Sequence, residues 1–307
     1  MTYLAPLLPF AAGWLLLLST QTLSTMGLVN GLAQLLLFVA VVNIPIWRTG
    51  RISYVDVGWP LGVAIIGLVA LLMGEGYAPR VWGIGAVYLF IGLRMGIGAI
   101  NLWRRGKLAV EFPRYQYQKR RWERDGKSNV SLAMQIEAST QGLANASFLA
   151  LPAFVIAVNP TPIVSALEVV GLVLWAAAFA MESLADAQKA AFIRQAKQEG
   201  RRDAVCNVGL WRYSRHPNYF AEWMVWNGLI IASIPSWWVL RAVEPAWAWA
   251  LVGLGLLFIS RIMHTTLVYY SGAVPSEFYS SQKRPGYAEY QEQTNRFFPG
   301  PVRKRLG

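Results

Sequence analysis

From residue 57 to residue 74 the chain reads VGWPLGVAIIGLVALLMG, eighteen residues without a charge. A helix needs about 20 mostly apolar residues to cross a bilayer, and runs of this kind recur. Eight are predicted, at 3–19, 27–47, 57–74, 81–103, 141–158, 163–187, 217–237 and 246–266. The first is short and carries proline, so the count is seven or eight. The runs are continuous where barrel strands would alternate, which selects helices. Soluble domains hold about 25% charged residues, whereas this chain holds 14% and is 55% hydrophobic. The expectation is an all-α polytopic membrane bundle forming one domain, residues 1–307.

The positions of the charges agree with that threading. Segment 104–128 holds nine Lys/Arg, segment 189–215 seven and the tail from 267 six; Arg48 and Arg51 flank another connection. Eight spans place all 24 on one face and leave Arg80 and Arg241 on the other, with Arg94 and Arg261 inside spans. Cytoplasmic loops carry such an excess, so the basic face, with both termini, is expected in the cytoplasm. Trp237, Trp238 and Trp247 fall near the other interface, as aromatic belts do. In a soluble protein a net charge of +12 would suggest nucleic acid. Here it reads as this membrane bias, and no nucleic-acid partner is expected. Cys206 has no second cysteine to pair with, and two histidines make a histidine-rich metal site unexpected. Nothing basic precedes Arg48, so a signal-peptide start is not expected.

Ionisable groups inside spans are costly and mark function by default. They are Asp56, Arg94, Glu182, Asp186, Glu222, Arg261 and His264. Most fall at the basic ends of their helices, where they can converge on one polar cavity. Glu182 and Asp186 are four apart and share a helix face, as do Asn218 and Glu222. In SRHPNYFAE, Arg215 and His216 supply a cation and a switchable donor, and Pro217 suits a helix start. Asn218 with a carboxylate offers both donors and acceptors to a ribose or an amide. Arg201, Arg202, Arg212 and Arg215 suit phosphates or anionic headgroups. Neither GxGxxG after a strand nor GxxxxGK[ST] occurs.

The run GLWRYSRHPNYFAEWMVWNG resembles the C-terminal part of the steroid 5α-reductase family of membrane reductases, closest to bacterial members of uncharacterised function. ESLADAQKAAF (182–192), SRIMHTTLVYY (260–270) and KRPGYAEYQEQTNRFFPG (283–300) extend the likeness over 165–300. SYVDVGWPLG and EFPRYQYQKRRW resemble the bacterial relatives. The resemblance implies NADPH-dependent reduction of a C=C bond conjugated to a carbonyl in a lipid-like substrate, in the bacterial inner membrane. It implies that Asn218 and Glu222 hold the nicotinamide or ribose side, and that Asp186, with Glu182 replacing a neutral amide, faces the cofactor. Arg261, His264 and Tyr269 would hold phosphates or ribose, with Arg215, His216 and Tyr219 beside them. The family's substrate-polarising Gln-Glu pair and Tyr have no equivalent here. Tyr54 and Asp56 are the catalytic replacements proposed, with Glu137 a further candidate. The RHPxY core also occurs in S-adenosylmethionine-dependent membrane methyltransferases, the alternative reading. Those carry a Glu-Glu pair where this chain has Glu277 alone. Clustering of the ionisable groups at one face disfavours a transporter, whose sites lie near the midplane.

Overall fold

The computed structural model describes residues 3–201 and 203–303; Arg202 and, in the basic tail, Lys304 and Arg305 lie outside the described residues. Regular structure is helical throughout, with no strand among the described residues. The helices are α1 (Leu8–Ser19), α2 (Ser24–Phe38), α3 (Ile44–Thr49), α4 (Val55–Met73), α5 (Ala78–Arg104), α6 (Pro113–Arg124), α7 (Val130–Ala146), α8 (Leu151–Ala157), α9 (Ala166–Gln198), α10 (Pro217–Leu240), α11 (Ala246–Thr265), α12 (Ala273–Lys283) and α13 (Tyr287–Gln293). Among the described residues, seven continuous segments are long and apolar enough to cross a membrane, and Ala5–Ser19 is a shorter apolar helix. The chain is a multi-pass integral membrane protein.

Two boundaries differ from the expected ones. The segment expected from residue 141 starts as a helix at Val130, where the side chain of Asn129 accepts from the Leu132 amide and caps it. Its polar residues Glu137, Thr140 and Asn145 are buried among neighbouring helices, so average hydropathy underestimates it. The last segment passes beyond residue 266 through a π-helical turn, Thr266–Tyr270, before α12.

The helices pack as two compact units. The first comprises Met1–Val169 and Ile230–Ile259, the second Val170–Leu229 and Ser260–Gly307. In the first, α4 and α5 approach at backbone distance. A Cβ on Gly67 would come within 2.7 Å of the Gly85 carbonyl oxygen and 2.8 Å of the Leu89 nitrogen, and neither backbone atom can yield. Every residue of α8 is buried, so this short helix forms part of the unit's core. Trp237 and Trp249 stack at 4.5 Å and exchange indole N–H bonds with each other's carbonyls. Arg241, one of two arginines on the sparsely charged face, lies over Trp238 and Trp249.

The other such arginine, Arg80, is buried and paired with buried Glu168 at 2.8 Å. Its remaining guanidinium donors reach the carbonyls of Thr161 and Ile163. Breaking a buried ion pair from one side costs about 3–5 kcal/mol, because an unpaired charge stays behind. Arg80→Met should therefore lower the thermal midpoint in detergent strongly. Arg80→Met/Glu168→Leu should recover most of the loss. Equal losses in the single and double variants would show that the pairing is not what stabilises this end of the unit.

Candidate functional site

The second unit carries all ten residues expected around a cofactor, and its geometry follows from helix register. On α10, a Cβ at Gly228 would come within 2.6 Å of the Trp175 nitrogen and 2.8 Å of the Gly171 carbonyl oxygen. The missing side chain lets α10 and α9 touch backbone to backbone. The two helices run antiparallel. Ten residues back along α10, about 15 Å at 1.5 Å per residue, lies Asn218, whose side chain meets Asp186 of α9 at 3.1 Å. A similar ladder joins α10 to the second unit's part of α11. Ser260 donates to the Asn227 carboxamide at 2.8 Å, Trp223 donates to the Ser260 carbonyl at 3.0 Å, and Trp223 meets His264 edge to face at 5.9 Å. By that register Tyr269, half exposed in the π-helical turn, falls level with Asn218.

The Asn218–Asp186 contact sets the chemistry of this level. An ionised carboxylate only accepts, so the Asn218 Nδ2 must face it and Oδ1 must turn away. That buried Oδ1 has no hydrogen-bond partner among the described residues. Glu182 lies one turn before Asp186 on α9, and Glu222 one turn after Asn218 on α10. At this level the Asn218 Oδ1 is an acceptor suited to a ligand that presents an N–H or O–H group. Arg261 and His264 follow on α11, and His264 packs against Tyr269, Phe297 and Phe298.

Arg215 and His216 are used differently. Both are buried, and both point at Glu277 of α12. Arg215 donates to its two oxygens at 2.7 and 3.2 Å, and His216 Nε2 to one of them at 3.2 Å. Gln291 and Arg296 also donate to it, at 3.1 and 3.2 Å. The other Arg215 nitrogen is held by the Gln291 and Thr294 carbonyls. The C-terminal strand of chain is zipped onto the same loop. The Arg215 amide donates to the Asn295 carbonyl, Ser214 Oγ to the Phe297 carbonyl and the Gly300 amide to the Tyr213 carbonyl. These bonds seat Phe297 against Phe220, Trp223 and His264. Tyr219 stacks on His216 at 5.4 Å. Expected as cofactor contacts, Arg215 and His216 here organise the loop from which Asn218 projects. Sequence reasoning noticed Glu277 but not its role. The available signal was adjacent Arg215 and His216 just before a helix start, two donors that call for an acid such as Glu277.

A cavity of about 570 Å³ in the second unit is lined by Arg201, Asp203, Asn207, Glu289, Tyr290 and Gln293 among others. Arg201, one of the arginines suited to phosphates, lines it; none of the ten cofactor candidates does.

Tyr54 and Asp56 belong to the first unit. Asp56 accepts from Arg114 and, at 2.5 Å, from the Tyr115 hydroxyl. Two residues before Tyr54, Glu111 accepts from the amides of Ile52 and Ser53 and from Lys119. The two carboxylates clip segment 111–119 onto the start of α4. Asp56 accepts on both oxygens, and the Tyr54 hydroxyl accepts from Arg51 at 3.5 Å. Glu137, the further candidate, is buried on α7, where it accepts from Gln141.

Among the described residues, seven membrane-length helical segments, with a carboxylate–carboxamide contact across two of the helices, mark a multi-pass integral membrane protein. The chain belongs to the family of proteins of unknown function DUF1295, whose model matches residues 42–294. No curated protein and no solved structure matches it.

Burial pushes the His216 imidazole below its ordinary value, against the opposing pull of Glu277. The folded state therefore binds fewer protons here than the unfolded state, and stability rises with pH. The contribution is present above the ordinary imidazole value of about 6.5 and is lost as pH falls below it. The thermal midpoint should drop between about pH 7 and pH 5, and His216→Gln should flatten part of that slope. Identical slopes for both proteins would refute the assignment.

Proposed function

We propose that this protein is an NADPH-dependent reductase of a C=C bond conjugated to a carbonyl, acting on a lipid-like substrate. The observation that carries the reading is the Asn218–Asp186 contact, with its unpartnered Asn218 Oδ1. That acceptor, flanked by Glu182 and Glu222, fits the N–H groups of a nicotinamide carboxamide and the hydroxyls of a ribose. The resemblance of the 182–300 motifs to steroid 5α-reductases supports the same cofactor. NADPH, when bound, supplies the hydride; the protein supplies position and field.

In this reading Asn218 and Glu222 orient the carboxamide or ribose side, and Glu182 and Asp186 accept from it. Arg261, His264 and Tyr269 hold the phosphate or ribose groups. Arg215, His216 and Tyr219 act through Glu277 and through stacking, by fixing the loop that carries Asn218. The reaction also needs a donor for the developing enolate oxygen, the point where charge appears. The basic segments, with both termini, lie in the cytoplasm of a bacterial cell, where NADPH is available.

Ligand-induced thermal shift tests this directly, because a ligand that binds only the folded state stabilises it by about 2.7 kcal/mol at a hundred times its dissociation constant. NADPH should raise the midpoint of the purified protein. Asn218→Ala and Glu222→Ala should each abolish the rise in protein that still shows a cooperative unfolding transition. No response to NADPH or NADP+ would end the reductase reading. A response to S-adenosylmethionine alone would select the methyltransferase class.

A further inference from the structure

The end of α5 holds a group of cations that the proposed reaction does not use. Leu102, Trp103 and Val110 are exposed at 43%, 52% and 69%, and between them stand Arg104, Arg105 and Lys107, all exposed. Gly106 takes a left-handed conformation with φ +67° and ends the helix there. A short 3-10 turn, Lys107–Ala109, follows. The turn is fixed from two sides. Leu108 is buried against Val57 and Ala99, and Arg51 donates to the Ala109 carbonyl at 2.7 Å. The cations therefore project from a rigid turn.

The nearby acids are occupied elsewhere. Glu111 pairs with Lys119, Asp56 with Arg114, and Asp125 with Arg121 and Arg124. Arg104, Arg105, Lys107 and the exposed Arg120 of α6 make no ion pair among the described residues. An exposed tryptophan at the end of a membrane-length helix belongs at headgroup depth, and three unneutralised cations beside it meet phosphate there. We infer that this turn is a binding surface for anionic phospholipid headgroups, with Arg104, Arg105 and Lys107 on the phosphodiester and Leu102, Trp103 and Val110 against the upper acyl chains. The surface does not depend on the reductase reading.

The test uses the full-length protein reconstituted with spin-labelled phosphatidylglycerol or phosphatidylcholine, comparing the motionally restricted fraction of each. A Lys or Arg near an anionic surface contributes about 1 kcal/mol, roughly fivefold. Wild type should prefer phosphatidylglycerol by at least about fivefold, and the preference should shrink as sodium chloride rises. Arg104→Gln/Arg105→Gln/Lys107→Gln should bring the ratio close to one, while Arg48→Gln, an exposed cation outside the turn, should leave it unchanged. A salt-insensitive preference in wild type overturns the inference without reference to any variant. So does an unchanged ratio in the folded triple variant. Displacement of the labelled lipid by inorganic phosphate beyond that by chloride at equal ionic strength also overturns it, because the surface would then be a free-anion site.

Discussion

A carboxylate taken out of water must be met by donors, or it costs more than a fold of this size can spare. This chain buries several, and each is met differently. Glu168 has the guanidinium of Arg80. Glu244 has no cation; it accepts from the Gln21 and Thr22 amides and the Thr22 hydroxyl at the start of α2. Glu277 collects Arg215, His216, Gln291 and Arg296. These acids tie together pieces of chain that hydrophobic packing alone would leave free to slide, since apolar helix faces in lipid carry little information about register.

The Glu277 cluster shows what such ties position. Its donors come from the loop before α10 and from the segment after α12, so it fixes where α10 begins. The start of α10 in turn decides the level at which Asn218 stands. The Gly228 contact with α9 fixes the other end of the same ruler. Between these two constraints Asn218 meets Asp186 at 3.1 Å.

The spans were legible in the sequence, because a membrane-length apolar run is a local property. So were the two acid-bearing helix faces of α9 and α10, because residues four apart share a face in any helix. The partners were not legible. Asp56 is claimed by Arg114 and Tyr115, nearly sixty positions away in the chain, and nothing in the spacing of either segment announces that clip. Glu277 and Arg215 are separated as widely. Long-range ion pairs depend on which helices end up adjacent, and a hydropathy profile contains no such information. The start of α7 was missed for a related reason: its polar residues are buried by protein, and composition reads them as exposed.

These distinctions divide SRHPNYFAE at its proline. Before Pro217, Ser214 Oγ and the Arg215 amide bond to the C-terminal segment, and the Arg215 and His216 side chains bond to Glu277. After Pro217, the helix satisfies its own backbone, and Asn218 turns its Nδ2 to Asp186 while its Oδ1 has no partner among the described residues. One motif thus contains a scaffold half and a presenting half. The division falls at the proline, where the regular helix begins.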